Sequence, residues 1–152
     1  MVVTQYIYPS LLVPPPSLTF TDQFAFRPSG STTAAIITIL QHITRLVDNN
    51  PFVIVIAIDF TKAFDTVRQA TLIEKLAELD LPDNVCNWLG NFFNQRSLFT
   101  SFLGKTATQL QITASIVQGS AIGPAAYVVT AADLRAITPD NFIIKYADDT
   151  YL

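Results

Sequence analysis

The chain has 152 residues, 50% of them apolar and 14% charged, enough for one domain with a real core and too apolar for a disordered segment. Its formal net charge is -3 with a pI near 4.8, which argues against nucleic-acid binding through a broad basic footprint. A lone cysteine, Cys86, excludes an intramolecular disulfide, and no uninterrupted apolar run reaches membrane-spanning length, so a soluble intracellular domain is the expectation.

Residues 1–22 read as an irregular or extended leader. Pro9 and Pro14, Pro15 and Pro16 interrupt its apolar character and favour polyproline geometry. It also lacks the basic flank of a signal peptide. After "FRPSGSTT" an amphipathic helix begins. Ile36, Ile39, Leu40, Ile43, Leu46 and Val47 share one face, and Thr38, Gln41, His42 and Arg45 share the other. Ser31, Thr32 or Thr33 is placed to cap its start, and "DNNP" at 48–51 ends it.

The run "FVIVIAI", 52–58, has the pattern of a strand buried on both faces, and it stops on Asp59. Two helices follow, near 68–79 and 84–95, with Asp83 as N-cap of the second and Trp88 and Phe92 on its buried face. Residues 97–103 and 106–117 form a predicted hairpin whose turn contains Gly104 and Lys105. The loop "QGSAIGP" leads into an alanine-rich helix over 122–136. "NFIIKYA" is a strand, Asp148 and Asp149 a turn, and "TYL" the opening of a returning strand. The class is α/β or α+β, with helices packed on a sheet.

Asp59 and the pair Asp148–Asp149 share a setting, because each follows an apolar strand directly. If both strands end at one edge of one sheet, three carboxylates converge there. Hard oxygen ligands suit Mg²⁺, and two ions about 4 Å apart hold the attacking and leaving oxygens of a phosphoryl transfer. Asp is also a common turn residue, and spacing alone does not choose between these readings.

Four ordered segments go further. "QFAFRPSGSTTAAI", "AIDFTKAFDTV", "IVQGSAIGPAAYVV" and "KYADDTYL" resemble the last fingers motif and motifs A, B and C of reverse transcriptases, most closely those of non-LTR retrotransposons. The resemblance spans 23–152 and implies a partial polymerase fingers–palm, with helices on a mainly antiparallel palm sheet and no thumb. It implies that Asp59, Asp148 and Asp149 are the catalytic metal ligands, for two Mg²⁺ with Mn²⁺ as a substitute. Phe64 matches the steric gate against a ribose 2′-OH, although a plain core role fits it too. Phe60, Gln118, Gly119 and Arg27 match positions beside the incoming nucleotide or template. Gly119, Gly123 and Pro124 are equally explained as a turn into a helix. Lys62 and Lys145 flank the acidic site, where solvated lysines are expected.

The implied activity is RNA-directed DNA polymerisation, with an RNA template, a DNA primer and deoxynucleotides as partners. No membrane is involved, and the location is the nucleus or cytoplasm. The alternative is a catalytically inactive remnant or fragment of a retroelement, acting as a binding module. Ala25 stands where the fingers motif usually has Gly, and "SIVQGS" replaces "GVPQGS", so Ser115 and Val117 carry less suitable backbones for that loop. Because "TYL" is short, much of the strand before Asp59 is expected to lack a neighbour and to stay exposed.

Overall fold

In chain order the helices are α1 (Tyr8–Leu12), α2 (Thr32–Val47), α3 (Gln69–Glu78), α4 (Asp83–Phe93) and α5 (Gly123–Thr130). The strands are β1 (Ala57–Ile58), β2 (Ser97–Leu98), β3 (Ser101–Phe102), β4 (Lys105–Thr106), β5 (Leu110–Gln111), β6 (Ile144–Tyr146) and β7 (Asp149–Tyr151). This is a computed structural model, and it describes residues 1–117 and 119–152. Helix α5 is apolar on every side, a pattern that only an interior position satisfies. Ala125, Ala126, Val128 and Val129 are accordingly buried, with α3 packed against them and α4 packed on α3.

The first segment is helical where an irregular leader was expected. Val3–Ile7 makes a π-helical turn that runs into α1. Pro9 falls within the first two positions of α1, where a missing N–H breaks no helical bond. Ile7, Leu11, Leu18 and Phe20 join the same core as α3, α4 and α5. Burial of these side chains decides the conformation, and the proline run falls beyond the end of α1.

Ser31 caps α2, its hydroxyl oxygen accepting from the Ala34 N–H at 3.1 Å. The stripe on α2 is only partly covered. Ile39 and Ile43 are half-buried, whereas Ile36, Leu40, Leu46 and Val47 are exposed, and the main packing of α2 is against β6. Asp83 is the first residue of α4 and Pro82 its cap; Asp83 favours the helix through charge at the N-terminus, not through a capping bond. Trp88 is exposed and stacks on half-buried Phe92, which corrects its assignment to the buried face. The hairpin forms with Phe102 opposite Lys105. Its loop is Leu103–Gly104, both at positive φ, as a two-residue turn matched to strand twist requires.

The sheet that matters has the order β1-β7-β6, antiparallel throughout. Its pairing is extended by reciprocal bonds between Ile56 and Leu152 at 2.7 and 2.9 Å. On the outer edge of β6, Gln23 bridges Lys145 in parallel. The "FVIVI" run is not buried: Phe52 is 74% and Ile54 72% exposed. Residues 52–55 have no ladder partner among the described residues, so the doubly covered strand expected from the pattern does not form there.

Candidate active site

Strands β1 and β6 both pair antiparallel with β7, so they run parallel to each other and end at one edge. Ala57 lies opposite Tyr151 and Ile58 opposite Thr150. The next rung of that register sets Asp59 opposite Asp149. Tyr146 pairs with Asp149, leaving Ala147 and Asp148 as the two-residue loop of a tight hairpin. The strands before Asp59 and before the aspartate pair thus end on the same side of one sheet, and Asp149 opens β7 where a turn of Asp148 and Asp149 was expected.

Asp59 and Asp149 are exposed and Asp148 is half-buried. Burial and the negative charge of Asp148 push the Tyr127 phenol up to about 12, so Asp148 lies within electrostatic reach of α5. The donor chemistry suits a hard divalent cation. Even so, among the described residues no three carboxylates, histidines or cysteines are drawn close enough to hold a metal ion as they stand.

Phe64 is half-buried and stacks on Tyr127, with ring centroids 4.4 Å apart. Its outer side lines a cleft of about 280 Å³ shared with Ile116, Val117, Gly119, Ser120 and Pro124. Two backbone bonds fix the walls of that cleft: the Ser115 N–H donates to the Val67 carbonyl at 2.8 Å and the Ile116 N–H to the Phe64 carbonyl at 3.0 Å. Phe60 is 38% exposed and borders a separate cavity of about 430 Å³ with Arg68, Tyr127 and Asp133. Gly119 has a φ of 78° with open space around a would-be Cβ, so backbone conformation is what calls for glycine there. Gln118 lies outside the described residues.

Arg27 is turned inward. Its guanidinium donates to the Phe20 carbonyl and, at 3.4 Å, to the Gln23 carbonyl, while its Nε is buried without a partner among the described residues. These bonds brace the loop between Phe20 and Arg27. Lys62 is exposed as expected. Lys145 is not: it is 1% exposed, pairs with Asp22 at 3.1 Å, and donates to the Ala131 and Leu134 carbonyls at 2.8 and 2.9 Å. Burial raises the Asp22 carboxyl above its ordinary value and lowers the Lys145 ammonium below its own, each only partly offset by the other's charge. The alternation of β6 puts Lys145 on the inner face, and a counter-ion 123 residues away cannot be read from local sequence.

Sequence reasoning also passed over Gln23, although it opens the quoted fingers segment. It is 2% exposed, and its amide contacts Ala147 beside the aspartate pair.

Comparison with known proteins bears on this arrangement. The profile of the family described as reverse transcriptase (RNA-dependent DNA polymerase) matches residues 3–152. The chain is 29% identical over 135 residues to the RNA-directed DNA polymerase from mobile element jockey of Drosophila melanogaster, covering 84% of this chain and 15% of that protein. It is 30% identical over 137 residues to the probable RNA-directed DNA polymerase from transposon BS of the same organism, covering 86% and 15%. It thus spans about a seventh of the length of these curated relatives. Apo telomerase from Candida tropicalis, truncated from its C-terminal domain, shares the fold with a TM-score of 0.66 at 13% identity, covering 99% of this chain and 34% of that one.

Proposed function

Because the chain belongs to the reverse transcriptase (RNA-dependent DNA polymerase) family, we propose that it is the catalytic centre of an RNA-directed DNA polymerase of the non-LTR retrotransposon type. The observation that supports this reading is the pairing of β1 and β6 with the same strand β7, which ends the strand before Asp59 and the strand before the Asp148 turn on one side of the sheet. In this reading Asp59, Asp148 and Asp149 hold two Mg²⁺, for which Mn²⁺ substitutes. Cations held there would supply a lowered pKa for a primer 3′-OH and compensation for the charge of the departing pyrophosphate.

The chain's own residues do the rest. The carboxylates fix where the 3′-OH meets the α-phosphate of a deoxynucleoside triphosphate. The Phe64 ring, held from behind by Tyr127, closes the space a ribose 2′-OH would need. Gln118 and Gly119 flank the nascent base pair, and Phe60 lies along the triphosphate. Arg27 orders the fingers loop from inside. The partners are an RNA template, a DNA primer and deoxynucleotides, and the work takes place at nuclear or cytoplasmic nucleic acid. Among the described residues no helix is long and apolar enough to cross a membrane.

A second reading, a non-catalytic interaction module, is favoured by the exposure of Phe52, Ile54, Val55 and Ile56, an edge open to strand addition. Primer extension on an RNA template with Mg²⁺ and deoxynucleotides separates the two. The polymerase reading expects extension by this chain and none by Asp148→Asn/Asp149→Asn. Equal absence from both assigns the chain by itself to the second.

A further inference from the structure

Ala147, the residue immediately before the aspartate pair, has a φ of 56°. This is a left-handed conformation that costs an L-residue energy and persists only when its surroundings hold it. A two-residue hairpin takes this conformation at its first loop position, and Gln23 ties it in place. Its Oε1 accepts from the Ala147 N–H at 3.1 Å, and its Nε2 donates to the Ala147 carbonyl at 3.4 Å. Both backbone groups of the strained residue are thus taken by one side chain.

That side chain is itself immobilised. Oε1 also accepts from the Ala25 N–H at 3.0 Å. The backbone around it is pinned to β6, with the Lys145 N–H donating to the Asp22 carbonyl at 2.7 Å and the Phe24 N–H donating to the Lys145 carbonyl at 2.8 Å. Beneath this, Asp22 and Lys145 form their buried pair. The fingers segment therefore reaches the hairpin turn through a rigid buried amide, 124 residues distant in sequence.

We propose that Gln23 is a positioning residue for the Asp148–Asp149 pair: by holding Ala147 left-handed it sets the direction in which the two carboxylates leave the turn, and so the affinity of the site for divalent cations. This rests on the reading that the pair ligates metal. Loss of a group that hydrogen-bonds a metal ligand typically costs about 10–100-fold in affinity, and Gln23 acts one residue from the pair, toward the lower end of that range.

The test is Mn²⁺ binding to this chain, followed by the paramagnetic signal of the free ion. Four proteins are compared: the parent chain, Gln23→Met, Gln23→Met/Ala147→Gly, and Asp148→Asn/Asp149→Asn. Methionine matches glutamine in length without its hydrogen bonds. The expected result is saturable binding by the parent, binding at least about tenfold weaker by Gln23→Met, and substantial recovery in the double variant, because glycine adopts the left-handed conformation unaided. A purely structural role would not be rescued by glycine at 147. Equal affinity in the parent and Gln23→Met overturns the inference while leaving the metal site standing. Absence of binding by the parent, as in the double asparagine variant, overturns both. Loss of the helical circular-dichroism signal in Gln23→Met overturns it as well, since Gln23 would then hold the fold and not the turn.

Discussion

Ile58 lies opposite Thr150 across the antiparallel pair of β1 and β7, and this one register fixes which acidic residues share an edge. A slip of one residue would send side chains of one strand to the other face of the sheet. Thr150 is 1% exposed, so the register is anchored by a buried residue, and continuing it by one rung points Asp59 toward Asp149.

If that edge takes divalent cations, Mn²⁺ stabilises the fold by mass action. At a concentration about 100 times its dissociation constant the gain is about 2.7 kcal/mol. Asp59→Asn and Asp148→Asn should each remove most of it. Thermal melts with and without Mn²⁺ check this, and an equal shift in the variants would place the ion elsewhere.

The buried Asp22–Lys145 pair should be costly to break from one side. Lys145→Met leaves the Asp22 carboxylate without its partner and is expected to lose about 3–5 kcal/mol at neutral pH. The pH sign follows from the raised Asp22 pKa. A carboxyl raised in the folded state favours folding below its unfolded value near 3.8 and loses that contribution as pH rises through the folded value. Removing the lysine takes away the main influences that lower it. The deficit of Lys145→Met should therefore shrink toward pH 4 and grow toward neutrality, as read from urea unfolding across that range.

Ser115 has a φ of 94°, at the position where the resembling motif carries glycine. Its N–H still donates to Val67, so the strain is the cost of keeping the cleft wall in place. Ser115→Gly should raise stability by roughly 0.5–1 kcal/mol despite glycine's greater entropy when unfolded. A lower unfolding midpoint in the variant would contradict this.

Phe64 faces the small cleft with Tyr127 stacked behind it. Phe64→Val should relax discrimination against ribonucleotides by at least about tenfold, the scale of removing apolar volume from a selective pocket. The ratio of kcat/KM for a deoxynucleotide and its ribonucleotide measures it. An unchanged ratio accompanied by lost stability would make Phe64 a core residue only.

Tyr127, raised to about 12 by burial and by Asp148, favours folding below pH 10 and loses that contribution between about pH 10 and 12. Tyr127→Phe has no phenol to ionise. Its unfolding midpoint should fall less than that of the parent chain over this interval, and parallel decline in both would show that the ring is not desolvated.

The sequence by itself determined the order of motifs, a cap for α2 among Ser31, Thr32 and Thr33, α3, α4, the hairpin around Gly104, and the placement of Asp59 and of the Asp148–Asp149 pair after apolar strands. All of these are local: each follows from periodicity, capping chemistry or a turn within a few residues. Structure chose Ser31 as the cap and drew Asp149 out of the turn into β7. Tertiary structure decided what depends on distant neighbours. The leader became helical because Ile7 and Leu11 found a core, and most of "FVIVI" stayed exposed because residues 52–55 have no strand to pair with among the described residues. Lys145 went inside because Asp22 and two carbonyls were waiting. Gln23 met Ala147 only because the chain brings residue 23 alongside β6. Strain, burial of charge and long-range pairing are properties of the assembled surroundings, and no single segment of the chain contains them.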